Sequence, residues 1–117
     1  MNEKKYVSTR GQQRPLDFCD AILQGIGSDG GLLVPAFELD QKDLKALQHL
    51  SYVDMATEIM TSFVGEQEKE EMRALCQKAY GQNLFPQEVV PVKQAGDVFI
   101  AELFQGPTAA FKDMALS

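Results

Sequence analysis

The sequence is poor in the residues from which disulfide frameworks and metal sites are built. Its 117 residues include two cysteines, one histidine and no tryptophan. Cys19 and Cys76 stand far apart in apolar surroundings, so we expect two reduced core residues of an intracellular protein. His49 has no second histidine and no carboxylate or thiol cluster beside it, whereas a metal site needs three or four converging ligands. No metal site is expected.

Long apolar runs and clustered cations are also missing. No apolar stretch approaches the roughly 18 residues of a membrane-spanning helix, and no apolar signal-peptide region follows the N-terminal charges. With 11 Lys and Arg against 17 Asp and Glu, the formal net charge is −6. This sign disfavours nonspecific binding to nucleic acid and to acidic membranes. We therefore expect a cytoplasmic protein that binds neither nucleic acid nor a membrane.

What is present is a mixture of short strands and amphipathic helices, which predicts an α/β fold class. Strands are predicted at residues 5–9, 32–34, 89–92 and 98–104. Helices are predicted to begin near Pro15, Asp40, Ser51 and Glu66, the third with a polar stripe that includes Thr57 and Thr61. The pattern divides the chain into a mainly helical α+β domain over residues 1–95 and the first strand and helix turn of a second domain over 96–117.

Residues 25–30 match the letters of the dinucleotide fingerprint GxGxxG. That motif binds a pyrophosphate only where it follows a strand and opens a helix. Here it is predicted to follow a helix and to precede a strand, and Asp29 would repel a phosphate. The pattern therefore indicates a tight turn.

The last stretch, ELFQGPTAAFKDMALS, combines a strand, a breaker and a lysine. The run from Val98 to Phe104 is predicted to be buried in a sheet, and Thr108 is predicted to cap a helix that starts at Ala109. Lys112 then falls in the first turn of that helix, beyond the end of a strand. In open α/β sheets, ligands bind at such a position.

This position favours an uncharged amine. The helix N-terminus and the apolar neighbours would both disfavour the ammonium form, so the pKa of Lys112 is expected to fall from its reference value of ~10.4. A free amine can attack an aldehyde and form a Schiff base. The residues alone leave a second interpretation open, in which Lys112 simply extends from a partly buried helix to solvent.

Four motifs resemble those of the threonine synthase family and occur in the family's order. ELFQGPTAAFKDMAL is similar to the family's pyridoxal 5′-phosphate (PLP) lysine segment, ELFHGPTxAFKDxAL. YVSTRG, from Tyr6, resembles YxSTRG, and the stretch from Gly25 to Pro35 resembles GLAxDGGLxVP. SYVDMA, from Ser51, resembles SYxxLA. The resemblance covers the whole chain.

The resemblance implies a PLP enzyme of fold type II, the tryptophan-synthase-β-like architecture. Such an enzyme converts O-phospho-L-homoserine and water into L-threonine and phosphate. Lys112 would be the catalytic lysine and would bind PLP covalently as a Schiff base. The neighbours implied to support it are Phe111, Asp113, Thr108 and Gln105. Gln105 departs from the family pattern, which has His there, and glutamine cannot exchange a proton near pH 7.

The resemblance also implies that further parts of the site lie downstream, because no phosphate cup, pyridine-nitrogen partner or substrate domain fits into 117 residues. We therefore expect an inactive N-terminal fragment that does not hold PLP firmly. Its severed end should expose apolar surface and a strand edge through which copies could associate. Two alternatives stay open: another fold-type II PLP lyase or threonine synthase-like enzyme, and a non-catalytic interaction module.

Overall fold

The computed structural model describes residues 4–116, in which short strands and helices alternate. The strands are β1 Tyr6–Ser8, β2 Leu33–Pro35, β3 Val92–Ala95 and β4 Val98–Ala101. The helices are α1 Phe18–Gln24, α2 Leu44–Leu47, α3 Tyr52–Val64, α4 Lys69–Tyr80 and α5 Asp113–Leu116, with a 3₁₀ turn at Glu66–Glu68. Within residues 4–116, no helix has the length and hydrophobicity needed to cross a bilayer.

A first core lies beside the antiparallel pair β1–β2. The pairing aligns Tyr6 with Pro35 and Ser8 with Leu33. The Tyr6 ring packs at 5.9 Å from Phe18 and 5.6 Å from Phe37. Its hydroxyl donates to the carbonyl oxygen of Phe63 at 2.9 Å, which ties this strand to the end of α3.

A second core lies between α3 and α4, and Phe18 packs against both cores. Its buried members are Val64, Met72 and Cys76. Helix α3 begins as predicted, with the Ser51 hydroxyl oxygen accepting from the Asp54 N–H at 3.1 Å. It ends at Gly65, whose φ of 119° favours glycine.

Helices α1, α2 and α4 begin later than predicted, and α4 begins at Lys69 rather than Glu66 because a 3₁₀ turn covers Glu66–Glu68. Helix α1 begins at Phe18 rather than Pro15, because the Asp17 carboxylate accepts from the Asp20 N–H and so caps the helix there. Helix α2 is capped by Asp43 rather than Asp40, since the Asp43 carboxylate accepts from the Lys45 N–H. At α1 and α2, the aspartate directly before the helix supplies the capping hydrogen bond.

The solvent exposure predicted for Cys19, Thr57 and Thr61 is wrong. Cys76 is buried as expected, whereas Cys19 is exposed. The seven-residue helix α1 turns only a narrow face, with Phe18 and the buried Ala21, toward the core. Thr57 and Thr61, expected to face solvent, are buried. The Thr57 hydroxyl donates to the Val53 carbonyl at 2.8 Å, so its polar group is satisfied within the helix.

The β3–β4 hairpin differs most from the prediction. Strand β3 begins only after Pro91, and β4 ends at Ala101 rather than Phe104. Every residue of both strands is exposed, so the expectation that this strand is buried in a sheet is wrong. In the described part of the chain β4 pairs with β3 alone. The expected exposure of apolar surface is confirmed, with Phe99 72% exposed.

Candidate functional site

The lysine segment folds into turns before it becomes helical. Helix α5 begins at Asp113, so the prediction of a helix starting at Ala109 is wrong. Ala109 has a φ of 55°, which breaks a right-handed helix at that point. Lys112 immediately precedes α5, and its carbonyl oxygen accepts from the N–H groups of Ala115 and Leu116. Its side chain is exposed rather than enclosed by apolar neighbours.

Asp113 closes the loop that carries Lys112. Its two carboxylate oxygens accept from the Thr108 N–H at 2.8 Å and from the Thr108 hydroxyl at 2.6 Å. Thr108 does not cap a helix, because α5 begins only at Asp113, five residues further on. The hydroxyl bond from Thr108 is the main reason why the pKa of Asp113 lies below its usual value. The loop thus closes around a buried, ionised carboxylate.

Gly106 allows this closure. A Cβ atom at Gly106 would lie 2.5 Å from Asp113 Cβ and 2.6 Å from Asp113 Oδ2. Only glycine leaves room for the carboxylate against the backbone at this point. The Gly-Pro-Thr sequence is therefore part of the geometry that presents Lys112.

The other predicted neighbours of Lys112 are placed differently. Gln105 Nε2 donates to Glu102 Oε2 at 2.9 Å, and Glu102 Oε1 pairs with Lys93 Nζ at 2.9 Å. Gln105 is thereby anchored to the hairpin. Phe111 is 66% exposed and packs into neither buried core cluster. Of the four predicted neighbours, the structure thus brings together Thr108 and Asp113.

Tyr80, the last residue of α4, also contacts the lysine segment. Its hydroxyl donates to the carbonyl oxygen of Met114 at 2.9 Å and so joins the end of α4 to α5. The ring contacts Tyr52 at 5.1 Å and Phe85 at 6.2 Å between centroids. The two hydrogen-bonded residues are 34 positions apart, so no local sequence pattern indicates this contact.

The glycine-rich turn is filled by its own carboxylate, which supports the interpretation as a tight turn. Asp29 Oδ1 accepts from the Ser8 hydroxyl at 2.6 Å and from the Gly31 N–H at 2.9 Å. These bonds, with that from Ser8 the strongest, hold the pKa of Asp29 below its usual value. Arg10 Nη1 donates to the Asp29 carbonyl at 2.8 Å, an anchoring role.

The lysine segment fits an aldehyde cofactor as a point of covalent attachment. The Lys112 amine is exposed, and it forms no ion pair within the described residues. Residues 102–116 contain no second Lys or Arg, so this segment offers a phosphate group no further cation. Across residues 4–116 there is also no group of three or more His, Cys, Asp or Glu side chains arranged for a metal ion.

Comparison with known proteins gives consistent matches over the chain. A family profile described as "Threonine synthase N terminus" matches residues 5–80. The threonine synthases of Corynebacterium glutamicum and Pseudomonas aeruginosa are 38% and 39% identical to this chain, over 95% and 96% of its length. The matches cover 25% and 24% of those two proteins. Threonine synthase-like 1 of Homo sapiens is 36% identical over 85% of the chain and 14% of that protein.

Solved structures give the same result. The crystal structure of PLP-bound threonine synthase from Brucella melitensis matches with a TM-score of 0.82 and 39% identity, over 95% of this chain and 25% of that one. The yeast threonine synthase structure matches with a TM-score of 0.80 and 36% identity, over 93% and 23%. The α/β fold class is thereby confirmed. The chain spans about a quarter of the length of these threonine synthases.

Proposed function

Because this chain belongs to the threonine synthase family, we propose that the whole protein containing it converts O-phospho-L-homoserine and water into L-threonine and phosphate. The observation that carries the proposal is Lys112. Its exposed amine stands on a loop closed by Asp113, in the segment that resembles the family's PLP lysine segment.

Bound PLP would supply an electron sink for the carbon atoms of the substrate. Lys112 would hold the cofactor covalently through Nζ, and its free amine would accept and return protons at the substrate carbons. Phosphate leaves from the γ carbon, and water adds at the β carbon. Thr108 and Asp113 orient this chemistry indirectly, because they hold the loop on which Lys112 stands.

The direct test is Lys112→Ala in the whole protein, with Lys112→Arg as the variant that keeps the charge. Both remove the primary amine that the reaction needs, so we expect phosphate release from O-phospho-L-homoserine to fall by at least about a hundredfold. Borohydride reduction of the PLP-treated wild type should add PLP mass to the peptide that contains Lys112. A wild-type protein that forms no threonine, or a Lys112→Arg variant with full activity, would contradict the proposal.

A second candidate is a threonine synthase-like enzyme or another fold-type II PLP lyase that acts on a different phosphorylated amino acid. It is favoured by Gln105, which stands where the family pattern has His and whose amide donates to Glu102. The match to threonine synthase-like 1 agrees with it. Phosphate release from a different phosphorylated amino acid, without release from O-phospho-L-homoserine, would establish this candidate. Gln105→His should then change the ratio of the two rates.

We also propose that the 117-residue chain alone neither holds PLP firmly nor turns over substrate. Two facts support this proposal. Residues 102–116 contain only one cation, Lys112, and the chain covers 25% of the Corynebacterium glutamicum threonine synthase. Incubation with equimolar PLP, reduction and mass spectrometry test this proposal. A stoichiometric adduct confined to Lys112 would contradict it.

The proposed division into residues 1–95 and 96–117 places the domain boundary in the turn between β3 and β4. Copies of the chain are proposed to associate through the run from Val98 to Phe104, because this run contains four apolar side chains that are at least half exposed. They are Val98, Phe99, Ile100 and Phe104.

A further inference from the structure

The hydrogen bond between Tyr80 and Met114 crosses from the helical body to the lysine segment. Tyr80 is the last residue of α4, which packs on α3 through the second core. Met114 is the second residue of α5, two positions beyond Lys112. The 2.9 Å bond from the Tyr80 hydroxyl to the Met114 carbonyl therefore connects a packed helix to the short helix that follows Lys112.

Within the described residues, α5 spans the four residues Asp113–Leu116, and a stretch of this length has little stability of its own. Its first turn is closed on the carbonyl oxygen of Lys112, which accepts from Ala115 and Leu116 at 3.0 and 2.9 Å. A fixed Met114 peptide thus fixes the backbone of Lys112 through less than one helical turn. Asp113 closes the same segment on its other side, by binding Thr108.

We propose that Tyr80 is a positioning residue for Lys112. Its hydroxyl holds α5 against the end of α4 and so fixes the position of the backbone that carries the lysine side chain. This inference rests on the proposed function of Lys112. Within residues 4–116, the Tyr80 hydroxyl bonds to Met114 and not to Lys112. It acts through the Met114 carbonyl and the first turn of α5.

The surroundings of Tyr80 keep its hydroxyl protonated and therefore able to donate a hydrogen bond. Burial, followed by the nearby Tyr52 and Cys76, raises the pKa of Tyr80 above its ordinary value. The phenol therefore stays protonated and able to donate over the whole physiological range. The edge-to-face contact with Tyr52 holds the ring in place independently of the hydroxyl. Removing the hydroxyl alone should consequently release α5 without dismantling the aromatic contacts.

Tyr80→Phe tests the proposal, and Tyr52→Phe is its matched control. Tyr52 is also half-buried, and its hydroxyl makes no hydrogen bond within residues 4–116. Trypsin cuts after Lys112 and after Lys45, which lies on the exposed helix α2 far along the chain. The ratio of the two cleavage rates, measured by mass spectrometry in one digest, reports local opening of the lysine segment.

We expect Tyr80→Phe to raise the Lys112-to-Lys45 cleavage ratio by roughly 2- to 10-fold, the equivalent of one neutral hydrogen bond. Tyr52→Phe should leave the ratio at the wild-type value. An unchanged ratio in Tyr80→Phe overturns the proposal. So does an equal acceleration at both lysines, because that result shows only a general loss of stability.

In the whole protein, Tyr80→Phe should lower kcat by a similar factor and leave KM for O-phospho-L-homoserine nearly unchanged, since substrate binding does not involve the hydroxyl. A change in KM alone would contradict a positioning role for Lys112. If the wild type forms no threonine, the proposed function fails, while the cleavage ratio still decides whether Tyr80 holds the segment.

Discussion

Gly31 is a position at which the close approach of Ser8 and Arg10 leaves no room for a side chain. A Cβ atom there would lie 2.1 Å from Ser8 Oγ and 3.0 Å from the Arg10 backbone nitrogen. Ser8 is buried and bonded to Asp29, so it has no free direction in which to move. Gly31→Ala should lower the free energy of unfolding by about 1–3 kcal/mol.

Urea denaturation followed by circular dichroism measures this loss. Ser28→Ala is the control, because Ser28 lies in the same turn with an exposed side chain. Its effect should stay within about 0.5 kcal/mol. Equal stabilities of Gly31→Ala and wild type would show that the turn has more room than the structure gives it.

The Asp113 carboxylate predicts a pH dependence of the lysine loop. The hydrogen bonds from Thr108 lower its pKa in the folded state. The stabilisation is therefore fully present above the unfolded value of ~3.9 and is lost as the pH falls through the lower folded value. The Thr108 amide proton, followed by NMR, should titrate with a midpoint below ~3.9.

Asp113→Asn should abolish this titration, since the amide has no charge to lose. It should also speed tryptic cleavage after Lys112 at neutral pH, because a charge-assisted bond becomes a neutral one. A titration midpoint at or above ~3.9 in the wild type would contradict the lowered pKa of the Asp113 carboxylate in the folded loop.

Residue-level prediction from the sequence succeeded at the start of α3. Ser51 was predicted to cap α3, and it bonds to Asp54 three positions on. Thr108 was assigned the same function, and this prediction is wrong, because Ala109 is left-handed and α5 begins only at Asp113. Whether Lys112 carries PLP stays a prediction.

At the scale of elements, the cap of α3 is the contact most open to measurement. The Ser51 hydroxyl oxygen accepts from the Asp54 N–H, and the Asp54 carboxylate also bonds Arg73 on α4 at 2.9 Å. Ser51→Ala should cost about 0.5–2 kcal/mol of unfolding free energy, and Ser51→Thr clearly less, because threonine keeps the hydroxyl. Thermal unfolding of the two variants side by side checks the order. A Ser51→Thr variant as unstable as Ser51→Ala would show that the hydroxyl is not the cause.

Helices α3 and α4 could be predicted because their apolar positions repeat over 13 and 12 residues. Within the described residues, helix α5 spans four residues, too few for a pattern, and its position depends on Tyr80 from another element. Strand β4 reads as a buried strand from its composition alone. Its true exposure depends on which other strands are present, and a local sequence pattern does not contain that information.

At the scale of the whole molecule, the chain has a packed part and an unpacked part. Phe18 joins the two cores of the packed part, and Tyr80 connects that part to α5. Beyond Pro91, every residue of β3 and β4 is exposed, and the outer edge of β4 has no partner strand among the described residues. An apolar strand with an open edge is a template for pairing with another chain.

Association of the isolated chain should therefore depend on β4 and on ionic strength. Ile100 is 50% exposed on β4, and Ile22 is 61% exposed on α1, so the two offer a matched pair. Burying an isoleucine contributes about 1.5–3 kcal/mol, so Ile100→Lys should move association to roughly tenfold or higher concentration, whereas Ile22→Lys should not. Sedimentation velocity over a concentration series measures the shift.

Added salt should strengthen wild-type association, because it screens the repulsion between copies that each carry a net charge of −6. A wild-type chain that stays monomeric at every concentration and salt level, or equal effects of the two lysine variants, would show that β4 is not the contact.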